Sequence, residues 1–243
     1  MRSYGLQFIA SCGNVLKKPE NLMIVTVCSE KGGVGKSTLS AHAAVRLAMT
    51  GKPTLLIDAD PQGTSYYWSV QRRQHRPDAD QVDCEHLAGN LIETVRQHIR
   101  YYRHIVIDCG GADSTALRSS LLIADRAIIP TQVSRRDLMA VSHIGSLISE
   151  ANESRTTPIT ARVVFNRTNP LPTFWTRIDE AREAIEAKGI EVTDAVIRQR
   201  VAYDDSEQYG GTVYEHNDEK AKSEIESVLK ILLRKNPSQE PAK

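Results

Sequence analysis

At 243 residues, with 40% hydrophobic and 25% charged side chains, the chain has the composition of an ordinary globular protein, far from disordered or fibrous classes. A single hydrophobic core stops growing at roughly 250–300 residues, so one α/β domain is expected. Lysine plus arginine (31) nearly cancels aspartate plus glutamate (30), so any grip on nucleic acid must come from a local basic face, and no apolar run approaches the roughly 18–20 residues of a membrane span.

Residues 1–22 read as a loose extension. The sequence from Arg2 to Cys12 resembles an export signal only faintly, because its apolar stretch is short and broken by Gly5 and Gln7. From residue 23 onward, apolar β-rich runs at 23–28, 54–57, 105–109, 127–130, 161–165 and 191–197 alternate with helical patterns at 37–49, 64–73, 87–100, 114–124, 136–150, 174–188 and 218–234. This alternation predicts a mostly parallel twisted sheet covered by helices on both faces. Residues 71–80, polar and proline-containing, read as a surface connection, and 236–243 as a frayed tail, leaving one domain over 23–235. Ile225, Val228, Leu229 and Leu232 recur at i, i+3, i+4, i+7, one apolar stripe that predicts docking of the last helix on the core.

Cys12, Cys28, Cys84 and Cys109 form no C-x-x-C pair and lack histidine at zinc-ligand spacing, which argues against both a structural metal and a disulfide framework. A reducing compartment is expected.

The chemistry concentrates after the first strand, in Lys31-Gly32-Gly33-Val34-Gly35-Lys36-Ser37-Thr38. A glycine-rich string between a strand and a helix turns successive backbone N–H groups inward, and the helix N-terminus adds partial positive charge, so the segment predicts a phosphate cradle. Lys36 is expected to reach the β- and γ-phosphates of ATP and the Ser37 hydroxyl to ligate Mg²⁺. The ordinary G-x-x-x-x-G-K-[ST] pattern fails, because Glu30 stands where it has glycine, and a second lysine, Lys31, opens the loop. Two later strands end in carboxylates: Asp58 and Asp60 after 54–57, and Asp108 after 105–107. Ligands of parallel sheets bind beyond the carboxyl ends of the strands, so these groups should converge on the phosphates. Asp108 suits a Mg²⁺ contact, and Asp60 suits the metal or the attacking water, whereas Asp58 and Asp113 read equally well as caps of turns.

Lys31 to Ser37, with Asp58-Ala59-Asp60-Pro61-Gln62 and Ile107-Asp108, resembles the deviant-Walker ATPases of the ParA/MinD family, and most resembles short ParA-type partition ATPases such as ParF. The likeness spans about residues 23–233. It implies a cytoplasmic, nucleoid-associated ATPase that forms a homodimer around ATP and Mg²⁺, with Lys31 crossing to the partner's phosphates and Lys36 and Asp60 serving hydrolysis. It also implies that Asn166 and the segment with Arg198 and Arg200 lie near the adenine, that the dimer binds DNA non-specifically, and that a small ParB- or ParG-like centromere-binding protein stimulates it. One departure is Cys109-Gly110-Gly111 after Asp108, where many relatives carry Thr-Pro-Pro. Arg162, Arg167, Arg177, Arg182, Arg198 and Arg200 are the candidate DNA contacts, or else a solvated face. Rival readings are a MinD-like or other positioning ATPase for a membrane, pole or conjugation cargo, and an iron–sulfur electron-transfer ATPase using Cys84 and Cys109.

Overall fold

The computed structural model describes residues 18, 19, 21–169 and 171–233. Most of the expected extension, including Cys12, and the expected tail lie outside the described residues. Seven strands, β1 (Met23–Val27), β2 (Thr54–Ala59), β3 (Asp83–His86), β4 (His104–Cys109), β5 (Arg126–Thr131), β6 (Thr160–Phe165) and β7 (Glu191–Val192), form one sheet in the order β3-β2-β4-β1-β5-β6-β7. Every pairing is parallel.

Helices α1 (Lys36–Ala48), α2 (Thr64–His75), α3 (Ile92–His98), α4 (Thr115–Ile123), α5 (Arg135–Glu153), α6 (Trp175–Glu186), α7 (Val201–Glu207) and α8 (Glu219–Leu232) form the two outer layers. Successive strand residues alternate between them. Ile24, Leu55, Ile105 and Val163 join α4, α5 and α6 in one cluster, whereas Val25, Leu56, Val106 and Val164 join α1 and α8 in the other. Strands β1, β2, β4 and β5 are buried along their whole length, which is why they read as continuous apolar runs. Each Leu or Ile so buried contributes about 1.5–3 kcal/mol.

All seven carboxyl ends share one edge, and the chain steps from β1 to β2 on one side while β5 lies on the other. The crevice at the end of β1 is therefore the switch point where α/β sheets take ligands.

Several expectations need correction. Lys18 is anchored, not loose: its ammonium bonds the Ile123 carbonyl and the Asp125 carboxylate (2.9 Å), and Leu22 is buried. Residues 71–75 belong to α2, and Arg72 is 1% exposed, held by the carbonyls of Asp80 (2.9 Å) and Gly210 (3.0 Å) and by Glu215 (2.6 Å). A guanidinium bonded through each of its three nitrogens is compatible with burial, and polarity in sequence did not reveal it. Of 191–197 only Glu191 and Val192 pair as a strand, and the helix of 87–100 shortens to α3. Edge strand β3 and the short α7, both polar, were not expected. The stripe Ile225, Val228, Leu229 and Leu232 is 0–3% exposed. It is consumed by the core and unavailable to a membrane, and no helix among the described residues is long and apolar enough to cross one.

Candidate nucleotide site

The loop after β1 opens α1, whose N-cap, Gly35, makes no side-chain cap and whose first turn carries no acid. The first N–H groups of α1 thus retain their demand for an anion. Gly33 and Gly35 have φ of 74° and 88°, and a Cβ on Gly35 would lie 2.2 Å from Asn166 Nδ2. Only glycine allows this approach. Asn166 Nδ2 donates to the Val34 carbonyl (2.7 Å) and Arg167 to the Gly33 carbonyl (3.2 Å), so residues after β6 hold the loop from outside.

Lys36 is buried and donates to the Lys31 carbonyl at 3.2 Å. A cavity of about 340 Å³ is lined by Gly32, Gly33, Gly35, Lys36, Ser37, Thr38, Asp60, Ser65 and Glu207, among others. The P-loop residues and Asp60 expected from sequence therefore meet. Asp108 is fully buried at the end of β4. Its Oδ2 accepts the Ser65 hydroxyl at 2.6 Å, while its Oδ1 has no hydrogen-bond partner. Burial raises its carboxyl to about 6, against the opposing pull of the Ser65 and Ser37 hydroxyls. An orphaned carboxylate oxygen beside Ser37 and Lys36 is an arrangement that a hydrated Mg²⁺ fits.

Asp60 is partly exposed, and its Oδ1 accepts the Gln62 N–H (3.0 Å). Asp58 is structural, its oxygens taken by the N–H groups of Asp60 (3.1 Å) and Tyr66 (2.8 Å). Asp113 is held by Arg118 through two bonds of 2.8 Å. Gly110 and Gly111 pack against Asp60 and against Glu30 and Lys36; a Cβ on Gly111 would lie 3.3 Å from the Glu30 carbonyl.

Lys31 Nζ lies 2.6 Å from Asp137 Oδ1 and 3.3 Å from Gln132 Oε1, within its own chain. Asn166, Arg198 and Arg200 line a second cleft of about 60 Å³ beside Thr38. This is far below the roughly 300 Å³ at which ligand pockets begin, because Glu224 of α8 clamps both arginines at 2.7 Å. Two larger open grooves, about 1020 and 990 Å³, flank β7 and carry no phosphate cradle.

The candidate DNA arginines do not share a free face. Arg162 pairs with Glu191 (2.8 Å), Arg182 with Asp194 (3.7 Å), and Arg177 lies over Phe174. Cys109 points into the core against Ser120 (3.3 Å), its thiol pushed up to about 12 by burial, so it does not reach a dimer face as an iron–sulfur ligand would. Sequence reasoning missed Ser65, Glu207 and Glu224. Ser65 alone left a trace, standing one turn after Asp60 on a helix that must return past β4.

The CobQ/CobB/MinD/ParA nucleotide binding domain matches residues 25–213, from β1 through the turn that follows α7. The chain belongs to this family. It is an ATPase of the ParA/MinD type. Protein ParA of Rhizobium radiobacter is 26% identical over 79% of this chain and 85% of its own length. Maintenance of carboxysome distribution protein A of Gloeobacter kilaueensis is 29% identical over 74% and 79%. Among solved folds, an ATP complex of McdA from Cyanothece superposes with a TM-score of 0.73 at 15% identity, covering 89% of this ATPase and 98% of that chain. A plasmid partition protein from Borrelia burgdorferi bound to AMPPNP gives 0.67 at 19% identity, over 87% and 98%.

Proposed function

We propose that this ATPase is a ParA-type partition protein: ATP and Mg²⁺ join two copies into a sandwich dimer, the dimer binds DNA non-specifically, and a small ParB- or ParG-like centromere-binding partner stimulates hydrolysis and releases it. The observation that carries the reading is the placement of two lysines on one loop, one turned inward and one at its mouth. Lys36 lines the cradle, whereas Lys31 stands outside it, paired with Asp137 of its own chain, and in the dimer it would turn to the facing subunit's phosphates.

In this mechanism the α1 N-terminus and Lys36 hold the β- and γ-phosphates, and Ser37 and Asp108 hold the Mg²⁺ site. The metal, when bound, neutralises phosphate charge and withdraws electrons from the transferring group. Asp60 faces the same cavity and orients the attacking water. Gly110 and Gly111 let the segment after Asp108 pass close to Asp60 and Lys36. Lys31 adds a cation from the second subunit, which makes hydrolysis conditional on dimerisation.

The buried α8 stripe argues against a membrane docked through that helix. Relatives named for carboxysome distribution support a second reading, in which the same engine positions another cargo.

The reading is tested by molar mass and DNA retention with ATP. Asp60→Ala should bind ATP and accumulate as a dimer that retains DNA but turns over at least 100-fold more slowly. Retention should fall steeply with salt, with a log–log slope near −0.9 per phosphate contact. A monomer in ATP, or turnover unchanged in Asp60→Ala, sinks the proposal.

A further inference from the structure

Arg167 differs from most of the candidate DNA arginines of the later half. Arg162, Arg182, Arg198 and Arg200 are neutralised by carboxylates, but Arg167 enters no ion pair among the described residues. Its side chain makes one hydrogen bond there, from Nη1 to the Gly33 carbonyl at 3.2 Å. It is exposed, and a guanidinium has five N–H donors, so most remain available.

Its backbone is committed to this place. Arg167 has φ of 52°, a left-handed conformation that residues with a Cβ rarely adopt and that persists where the surroundings impose it. The imposing contacts are visible. The Arg167 N–H donates to Asn166 Oδ1 (2.9 Å), and Asn166 Nδ2 in turn donates to the Val34 carbonyl (2.7 Å). Residues 166 and 167 thus grip two successive carbonyls of the phosphate loop, and the side chain of Arg167 is delivered to its crown.

There it lines both cavities, the phosphate cradle with Lys36 and Ser37 and the cleft with Arg198 and Arg200. A nucleotide spanning the two would pass its polyphosphate and ribose beneath the guanidinium.

We infer that Arg167 contacts the nucleotide's polyphosphate, supplying from its own subunit a third cation beside Lys36 and Lys31, and that it is not a DNA contact. A guanidinium presents paired N–H donors that match two phosphate oxygens, and its charge favours the triphosphate over species with fewer phosphates. Arg167 moves no proton; it stabilises charge. The inference rests on nucleotide occupying the loop, which Lys36→Ala checks independently by losing binding.

The test measures fluorescent mant-ATP and mant-ADP affinity of the full chain without DNA, and DNA retention separately. Arg167→Gly removes the guanidinium and relieves the left-handed strain, so it should fold at least as well as the parent. Its affinity for mant-ATP should fall about tenfold, the loss of one charge-assisted contact. The fall should be smaller for mant-ADP and should narrow as salt rises. Arg167→Lys, which keeps the charge without the fork, should recover part of the loss. Unchanged nucleotide affinity in Arg167→Gly overturns the inference, whether or not DNA retention falls. So does a loss equal for both nucleotides, insensitive to salt and not improved by lysine, which would mark a structural brace.

Discussion

The Lys31 ammonium lies 2.6 Å from the carboxylate of Asp137 on α5 of the same chain. Asp137 is 1% exposed and also closes the capping box of α5 with Ser134, so one acid both caps a helix and holds the loop lysine. In the proposed dimer, Lys31 must leave this partner to meet the second subunit's phosphates.

Asp137→Asn tests that competition. Asparagine keeps an acceptor for Ser134 but offers Lys31 no charge. The pair is about one-third exposed on the lysine side, which limits its contribution to about 0.5–1 kcal/mol. The ATP concentration that half-dimerises the variant should therefore drop roughly threefold, read by light scattering during size exclusion. A midpoint at or above that of the parent would show that Lys31 is not restrained.

Asp108 is buried as a carboxyl raised to about 6, so its charged form costs folding stability. The sign follows from the folded value exceeding the unfolded one near 3.9: the penalty is full above about pH 6 and gone below about pH 4. In nucleotide-free protein with chelator, Asp108→Asn should be more stable at pH 7.5, by up to about 3 kcal/mol, and the gap should close on acidification. Mg²⁺-dependent turnover should be lost in the same variant. Denaturant titrations at pH 7.5 and 4.5 distinguish this from a variant that is merely misfolded.

His42 shows the opposite sign. Burial lowers it to about 4. Its Nδ1 donates to the Thr38 carbonyl (2.7 Å) and its Nε2 accepts the Val213 N–H (3.1 Å), an arrangement open only to the neutral ring. Its contribution is whole above pH 6.5 and is lost as pH falls toward 4, by up to about 3 kcal/mol. His42→Gln, which can serve both partners without titrating, should flatten this acid limb in urea titrations. An unchanged slope would assign the limb to other groups.

Gly210 has φ of 70°, and a Cβ there would lie 2.0 Å from the backbone nitrogen of Arg72. No side chain can yield to relieve a backbone clash. Gly210→Ala should lose more than 2 kcal/mol in urea unfolding, and because α2 carries Ser65 and follows Asp60, its ATPase rate should fall too. Parent-like stability would mean that the turn shifts freely away from α2.

Parallel strands buried on both faces leave continuous apolar runs, so β1, β2, β4, β5 and β6 were legible to within two residues. Strand β3 was not, because an edge strand with the sequence Asp-Cys-Glu-His carries no apolar signal and exists by pairing with β2. The loop residues Gly33, Gly35, Lys36 and Ser37 were legible because phosphate binding demands those residue types at that spacing. Arg72 and Glu224 were not: a charge within a polar stretch looks solvated until its partners, more than twenty positions away for Glu224 and beyond a hundred for Gly210 and Glu215, are known.

Sequence by itself determined the α/β class, the phosphate loop and the acids that end β2 and β4, since each is written in local periodicity or in a contiguous motif. Tertiary structure alone decided how those acids are engaged, with Asp108 left holding an open oxygen while Asp58 accepts from two backbone N–H groups. It also decided which of the candidate arginines are spent in ion pairs, that Arg167 reaches the loop, and where Lys31 rests. Those outcomes depend on distances between side chains far apart in the chain, and electrostatic pairing is set by distance and burial, which a linear order of residues does not specify.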